Sequence, residues 1–200
     1  MSFFSRFLAP VAALALTLPA QAAEVGEDGL HLQPFFADTF LDLSEDLAEA
    51  AAEGKDLMVI VEQRGCPYCR ELHEVNFERE EIATFADENF LVLQINMWGS
   101  RETTDFDGDV MEERDLMQKW FVSFTPTTLF FSLEDNGAPP SDMREALSFL
   151  MPGYFKPFHH LSAMEYVASD GYLEEPNFQR WLQAKADRME EEGHEVVIWE

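Results

Sequence analysis

The sequence predicts a single α/β domain, a mixed β-sheet covered by helices on both faces. Three observations carry this. Continuous apolar runs of strand length occur at 56–61, 90–96 and 127–133, the pattern of strands buried on both faces. Segments of helical period separate them. After the third run, "EDNGAPPSD" is a turn, and "ALSFLM" is its hairpin partner. Two hundred residues suit one domain with decorations.

Each element has its own signal. In "SEDLAEAAAEGK", Ser44 is a candidate N-cap and Gly54 a candidate C′ residue of the first helix. "DLMVIV" (Asp56 to Val61) is a buried central strand. Behind Cys66 and Cys69, Leu72, Val75 and Phe77 mark a helix, and "REEIATFADENF" is a second short one. Phe90 to Asn96 is the next strand, "WGSRETTDFDGDV" a polar loop, and "MEERDLMQKWF" a helix. Pro126 opens the strand Thr127 to Leu133. Two helices follow, near 156–169 and 176–189, the second with Pro176 in its first turn. The ending "EEEGHEVVIWE" is an acidic tail with an apolar tip.

The first 22 residues read as a secretory signal. Arg6 precedes an apolar run from Phe7 to Ala20, and Ala20-Gln21-Ala22 is a small-x-small site. The run is short of the roughly 20 residues that span a bilayer. The mature protein is expected to be exported and soluble, in an oxidising or at least disulfide-permissive compartment. A net charge of −26 repels phosphate backbones and excludes nucleic-acid binding. It favours solubility and partners with a basic docking face. The 18 Phe residues supply core bulk, so the fold does not need disulfide staples.

The chemistry centres on "VEQRGCPYCREL", which holds the only two cysteines. As a structural clip, Cys66–Cys69 would close a very short loop and contribute little stability. As a zinc site, it lacks a second ligand pair; His73 could face Cys69, but a fourth ligand is missing. The Met residues sit in apolar patterns and read as core rather than copper ligands. Redox exchange fits the context. A strand ending before Cys66 puts that thiol at a helix N-terminus, where unpaired N–H groups and the helix dipole favour a thiolate. Arg64 and Arg70 add positive charge, and Pro67 suits the first turn. Cys69 can then resolve a mixed disulfide formed on Cys66. CxxC at a strand-to-helix junction is a strong signal for this chemistry. Thr125-Pro126, at the entrance of a strand, is the second candidate feature, since a cis X–Pro bond is a specific device there.

On "GCPYC", "FTPT" and the order of elements, the chain resembles the thioredoxin superfamily from about Leu57 to Gly153. "FEREEIATFADENFLVLQINMWG", "LMQKWFVSFTPT" and "MPGYFKPFHHLSAMEYV" resemble the SoxW-type periplasmic thioredoxin-related proteins of sulfur oxidation. The resemblance implies a thioredoxin fold with a central mixed sheet and a C-terminal helical extension. Together with the signals above, it divides the chain into signal peptide 1–22, lead 23–40, thioredoxin-like domain with C-terminal helices 41–189, and acidic tail 190–200. It further implies a thiol-disulfide reductase whose only redox group is the Cys66–Cys69 disulfide, with no added cofactor or metal. Its substrates would be protein disulfides, serving sulfur oxidation or cytochrome maturation. Its electrons would come from a membrane thiol transporter of the CcdA/DsbD kind. Cys66 would attack, Cys69 resolve, and Thr125 and Pro126 orient the partner. The alternatives are a disulfide oxidase or isomerase, and a non-enzymatic copper or zinc carrier using the same pair.

The chain departs from the thioredoxin pattern in places. Gly65 stands where a Trp is usual, and Ile60 where thioredoxin carries its buried Asp. Glu62, two residues on and on the same strand face, is the candidate proton acceptor for Cys69. CPYC is also the glutaredoxin dithiol, but "SLEDNGAPP" replaces that group's Gly-Gly glutathione motif. "DFDGD" has the wrong spacing for an EF-hand and reads as a solvated acidic loop. His159 and His160 read as packing or surface residues.

Overall fold

The computed structural model describes residues 24–133, 139–194 and 196. The predicted signal peptide, part of the turn after the third apolar run and most of the tail tip lie outside the described residues. The elements run α1 (Leu43–Ala52), β1 (Asp56–Glu62), α2 (Pro67–Glu71), a π-helical turn (Leu72–Asn76), α3 (Glu80–Asn89), β2 (Phe90–Asn96), β3 (Glu102–Thr104) and β4 (Val110–Glu112). Then come α4 (Glu113–Lys119), β5 (Thr127–Phe131), α5 (Met143–Ala146), β6 (Leu147–Pro152), α6 (Pro157–Ala168), α7 (Gly171–Glu174) and α8 (Phe178–Glu191). The main sheet has the order β2-β1-β5-β6. β1 is parallel to β2 and antiparallel to β5, and β5 is antiparallel to β6. This is the expected central mixed sheet with a C-terminal helical extension.

β1 is buried from Leu57 to Glu62, so its side chains divide by alternation between two layers. Leu57, Val59 and Val61 face a core with Leu43 and Leu47 of α1, Trp120 and Phe131. Met58 and Ile60 face a second core with Leu72, Phe77, Ile82, Met164 and Tyr166. Each such aliphatic or aromatic side chain contributes about 1.5–3 kcal/mol by leaving water. With sheet and helices fixed on both sides, the loops at the carboxyl end of β1 become the place where function is built.

Several local expectations are corrected. The N-cap of α1 is Asp42, whose carboxylate accepts the Glu45 N–H at 3.1 Å. Ser44 lies inside the helix and its hydroxyl donates to Phe106 O. Both residue types cap well, and the helix takes the earlier one. Gly54 does follow the helix, with φ +73°, the left-handed conformation that glycine adopts without a Cβ penalty. The polar loop after β2 contains a small hairpin, with Thr103 opposite Met111. Met111 is therefore strand, and α4 begins at Glu113. α8 begins at Phe178 with Asn177 as its cap, not at Pro176.

The acidic loop is not simply solvated. Lys119 Nζ lies 2.7 Å from Asp105, 2.6 Å from Asp107 and 3.0 Å from Asp109. Burial alone would lower the Lys119 pKa, but the three hydrogen bonds outweigh it and hold it up. The chain's own ammonium thus occupies the centre of the aspartate group and ties the β3–β4 hairpin to α4.

Candidate active site

β1 delivers the chain to the site, and Gly65, at φ +73°, turns it into α2. Cys66 is the N-cap of α2, and Pro67 occupies the first turn. Cys66 Sγ accepts the Cys69 N–H at 3.0 Å. The two sulfurs form a disulfide, with 5.2 Å between the Cα atoms. Cys66 is 7% exposed and Cys69 1%. Of the two, Cys66 keeps the larger exposure and Cys69 is the more deeply covered. An N–H aimed at Cys66 Sγ stabilises negative charge there once the disulfide opens.

Thr125 faces the same sulfur. Its carbonyl oxygen is 3.5 Å from Cys66 Sγ, and its hydroxyl donates to that sulfur at 3.4 Å. The Thr125–Pro126 peptide bond is cis, and Pro126 O accepts the Gly153 N–H at 2.8 Å. So Cys66 and Cys69, from the head of α2, come together with Thr125 and Pro126, from the loop before β5. Arg64 and Arg70, expected to support the thiolate, are engaged elsewhere. Arg64 donates to the carbonyls of Asp28 (2.9 Å) and Glu27 (3.3 Å). Arg70 pairs with Glu74 at 3.7 Å.

Sequence reasoning missed the exposed aromatic side chains of α2 and of the loops that follow β2 and precede β5. Tyr68, Trp98, Phe121 and Phe124 are all exposed. Tyr68 stacks on Tyr154 with 6.2 Å between ring centres. Trp98 Nε1–H donates to Gln63 at 2.7 Å. Tyr68 lies between the cysteines, and Phe124 directly precedes Thr125; their exposure is a signal that only the folded arrangement supplies.

Glu62 is 1% exposed and points to the same layer as Ile60. It is no strand-end surface residue. His73 Nε2 lies 3.1 Å from each of its carboxylate oxygens. Gln94 of β2 donates to Glu62 Oε2 as well and, at 2.7 Å, to the carbonyl of His31. Gln33 meets His73 Nδ1 at 3.1 Å. Both residues of the central pair are buried, so a buried carboxylate–imidazole network underlies the cysteine helix. No group of three or more His, Cys, Asp or Glu residues is arranged to hold a metal ion among the described residues.

Dithiol–disulfide exchange is the chemistry open to this arrangement, and in the general sense the protein is a thiol-disulfide oxidoreductase built on a thioredoxin-like sheet. The sequence model of the Thioredoxin-like domain matches residues 43–168, and the chain belongs to that family. Among solved structures it is similar to a thioredoxin-fold protein from Helicobacter pylori, at 21% identity and TM-score 0.51. That match covers 66% of this chain and 81% of the other. It is also similar to a thioredoxin from Thermus thermophilus, at 20% identity and TM-score 0.50, covering 67% and 90%. At these identities the likeness shows the fold. No curated protein matches the chain.

Proposed function

We propose that the protein is an exported reductase of protein disulfides that works in the periplasm. The observation that carries this reading is the difference between its two sulfurs. Cys66, at the head of α2, is 7% exposed and faces Thr125, whereas Cys69 is 1% exposed. In the reduced protein the Cys66 thiolate attacks one sulfur of a substrate disulfide. A Cys66–substrate disulfide forms, and the other substrate sulfur leaves as a thiolate. Cys69, deprotonated, then attacks Cys66 Sγ. The substrate's second thiolate departs, and the Cys66–Cys69 disulfide remains. Two electrons have passed to the substrate, and each released thiolate takes up a proton.

Thr125 and Pro126 orient the partner beside Cys66, and Glu62 accepts the Cys69 proton. A membrane thiol transporter of the CcdA/DsbD kind returns the two electrons. The SoxW-type resemblance supports substrates in sulfur oxidation or cytochrome maturation, and the signal-like first 22 residues support export.

The test is reduction of insulin disulfides with dithiothreitol as electron source, beside a Cys66→Ser variant. Reduction that requires Cys66 is expected. No Cys66-dependent reduction, together with stoichiometric copper or zinc binding, would favour a metal carrier. A Cys69→Ala variant in the native host should hold its physiological substrate as a mixed disulfide. Recovering no partner from sulfur oxidation or cytochrome assembly would remove the narrow assignment. A reduction potential more oxidising than the periplasmic poise would assign the protein as an oxidase instead.

A further inference from the structure

We infer that His73 is a further functional residue, which with Glu62 forms one proton-holding pair that takes the Cys69 proton when Cys69 resolves the mixed disulfide. This deepens the reading above and rests on it. The starting observation is cost. An ion pair or neutral acid–base pair withdrawn from water gives up hydration that its own attraction rarely repays, so it is weak evidence for stability. Glu62 and His73 are 1% and 0% exposed, and replacing such a buried pair by apolar residues of similar volume is often neutral or stabilising.

Placement gives the pair its task. Cys69 and His73 are four residues apart on one continuous helical stretch, hence on one face and about one turn apart. Both are buried. Glu62 comes from β1 on the sheet face that Leu72 and Phe77 cover. The pair thus lies between the central strand and the helix that carries the resolving thiol. His73 Nε2 is equidistant, at 3.1 Å, from both oxygens of Glu62, and Gln94 holds Oε2. The carboxylate is therefore fixed in orientation. Gln33 fixes the imidazole through Nδ1. His73 acts through Glu62, as a positioning residue.

The surrounding groups leave the pair as the available base. From the N-terminal lead, His31 lies 5.1 Å from the His73 ring; its own pKa is lowered by burial and then by His73. From α6, His160 lies beyond Phe77 and is pulled down to about 4 by burial. Arg70 and Glu74 on the same helical stretch pair with one another at the surface. β2 contributes the uncharged Gln94.

The step balances. The Cys69 S–H proton passes to the pair, directly or across one water. The Cys69 thiolate forms its bond to Cys66 Sγ, and the Cys66–substrate S–S bond breaks. The proton held by the pair ends on the departing thiolate or in solvent. No outside oxidant enters this half-reaction.

The test uses 5,5′-dithiobis(2-nitrobenzoate), which forms a mixed disulfide with Cys66 of the reduced protein. Release of the second 5-thio-2-nitrobenzoate, followed by stopped flow, reports the attack of Cys69 and needs no protein substrate. In the wild type this rate should hold nearly level from about pH 8 down to about pH 6, below the ordinary thiol pKa of about 8.5. Glu62→Gln and His73→Gln should each lose about tenfold or more near pH 6 and little near pH 9, where hydroxide takes the proton. The double variant should lose no more than either single one, as members of one unit do. A wild-type rate that already falls tenfold per pH unit overturns the inference without any variant. So do losses equal at all pH values, losses that multiply, or a His73→Gln profile unchanged beside an altered Glu62→Gln one. Failure here with Cys66-dependent insulin reduction intact removes the pair alone. Failure of insulin reduction with the second release normal removes the reductase reading alone.

Discussion

Replacing Lys119 by Met tests the aspartate group most directly. The change keeps the aliphatic stem and removes the ammonium that lies within 3.0 Å of three carboxylates. Asp107 and Asp109 are partly or largely exposed and lose little, because water screens them. Asp105 is 2% exposed, and among the described residues its remaining donors are Trp120 Nε1–H at 3.1 Å and the Phe106 N–H at 2.8 Å. Stranding a buried carboxylate in this way costs about 3–5 kcal/mol. Because Trp120 stays in place, we expect the low end, about 3 kcal/mol, or about 6–12 °C in Tm for a domain of this size.

The sign with pH follows. In the wild type the hydrogen bond to Lys119 is the first cause that holds the Asp107 carboxyl below its ordinary value, so this contribution is present above the unfolded aspartate pKa of about 4 and is lost as pH falls. Removing Lys119 removes it, so the variant's deficit is full near pH 7 and shrinks toward pH 4 and below. Urea unfolding followed by circular dichroism, at steps between these values, measures both quantities. Calcium should also restore part of the lost stability in the variant and add little to the wild type, because a cation able to fill the group binds the folded state. A deficit below about 0.5 kcal/mol at pH 7, or one that does not change with pH, would refute the argument.

Three other outcomes are expected. His160 is fully buried, neither ring nitrogen has a hydrogen-bond partner among the described residues, and burial pulls its pKa to about 4. The unfolded chain takes up a proton that the fold refuses, so stability falls as pH drops from about 6.5 to about 4, by up to about 3 kcal/mol; His160→Leu should abolish that part of the acid-side loss in urea titrations. The Asp56 carboxyl is pushed up to about 6 by burial, against the hydrogen bond from Ser132, so its cost appears as pH rises from about 4 to about 6 and Asp56→Asn should gain about 2 kcal/mol at pH 7 and nothing near pH 3. Thr125→Val removes the hydroxyl 3.4 Å from Cys66 Sγ, which should raise the Cys66 thiol pKa by about one unit, the equivalent of one modest charge-assisted hydrogen bond, as read by thiolate absorbance in the reduced protein.

The parts legible from sequence were those decided by local chemistry. The β1 run from Leu57 to Val61 is apolar at every position because both faces are covered, and that pattern cannot be confused with a surface strand. CxxC directly after such a strand placed Cys66 at a helix start, where the structure has it. What stayed illegible was decided through space or by close competition. Glu62 is charged at the end of a strand, and its burial depends on His73, Gln94 and the lead arriving from elsewhere. Lys119 is one cation in an acidic chain until the hairpin brings three aspartates around it. The β3–β4 hairpin has strands of three residues, too short for alternation to register. Asp42 and Ser44 are both good caps, and side-chain type could not choose between them.

The segment ahead of α1 bears on where this domain can be said to begin. Gln33 and the His31 carbonyl complete the bonding of His73 and Gln94, and Arg64, one residue before Gly65, grips the carbonyls of Glu27 and Asp28. All four of these lead residues lie outside the family match at 43–168, as do Phe178, Trp181 and Leu182, which pack from α8 into the layer that holds Met58 and Ile60. A protein trimmed to the matched stretch would keep both cysteines and the proline beside them. It would open the underside of its own reaction centre to water.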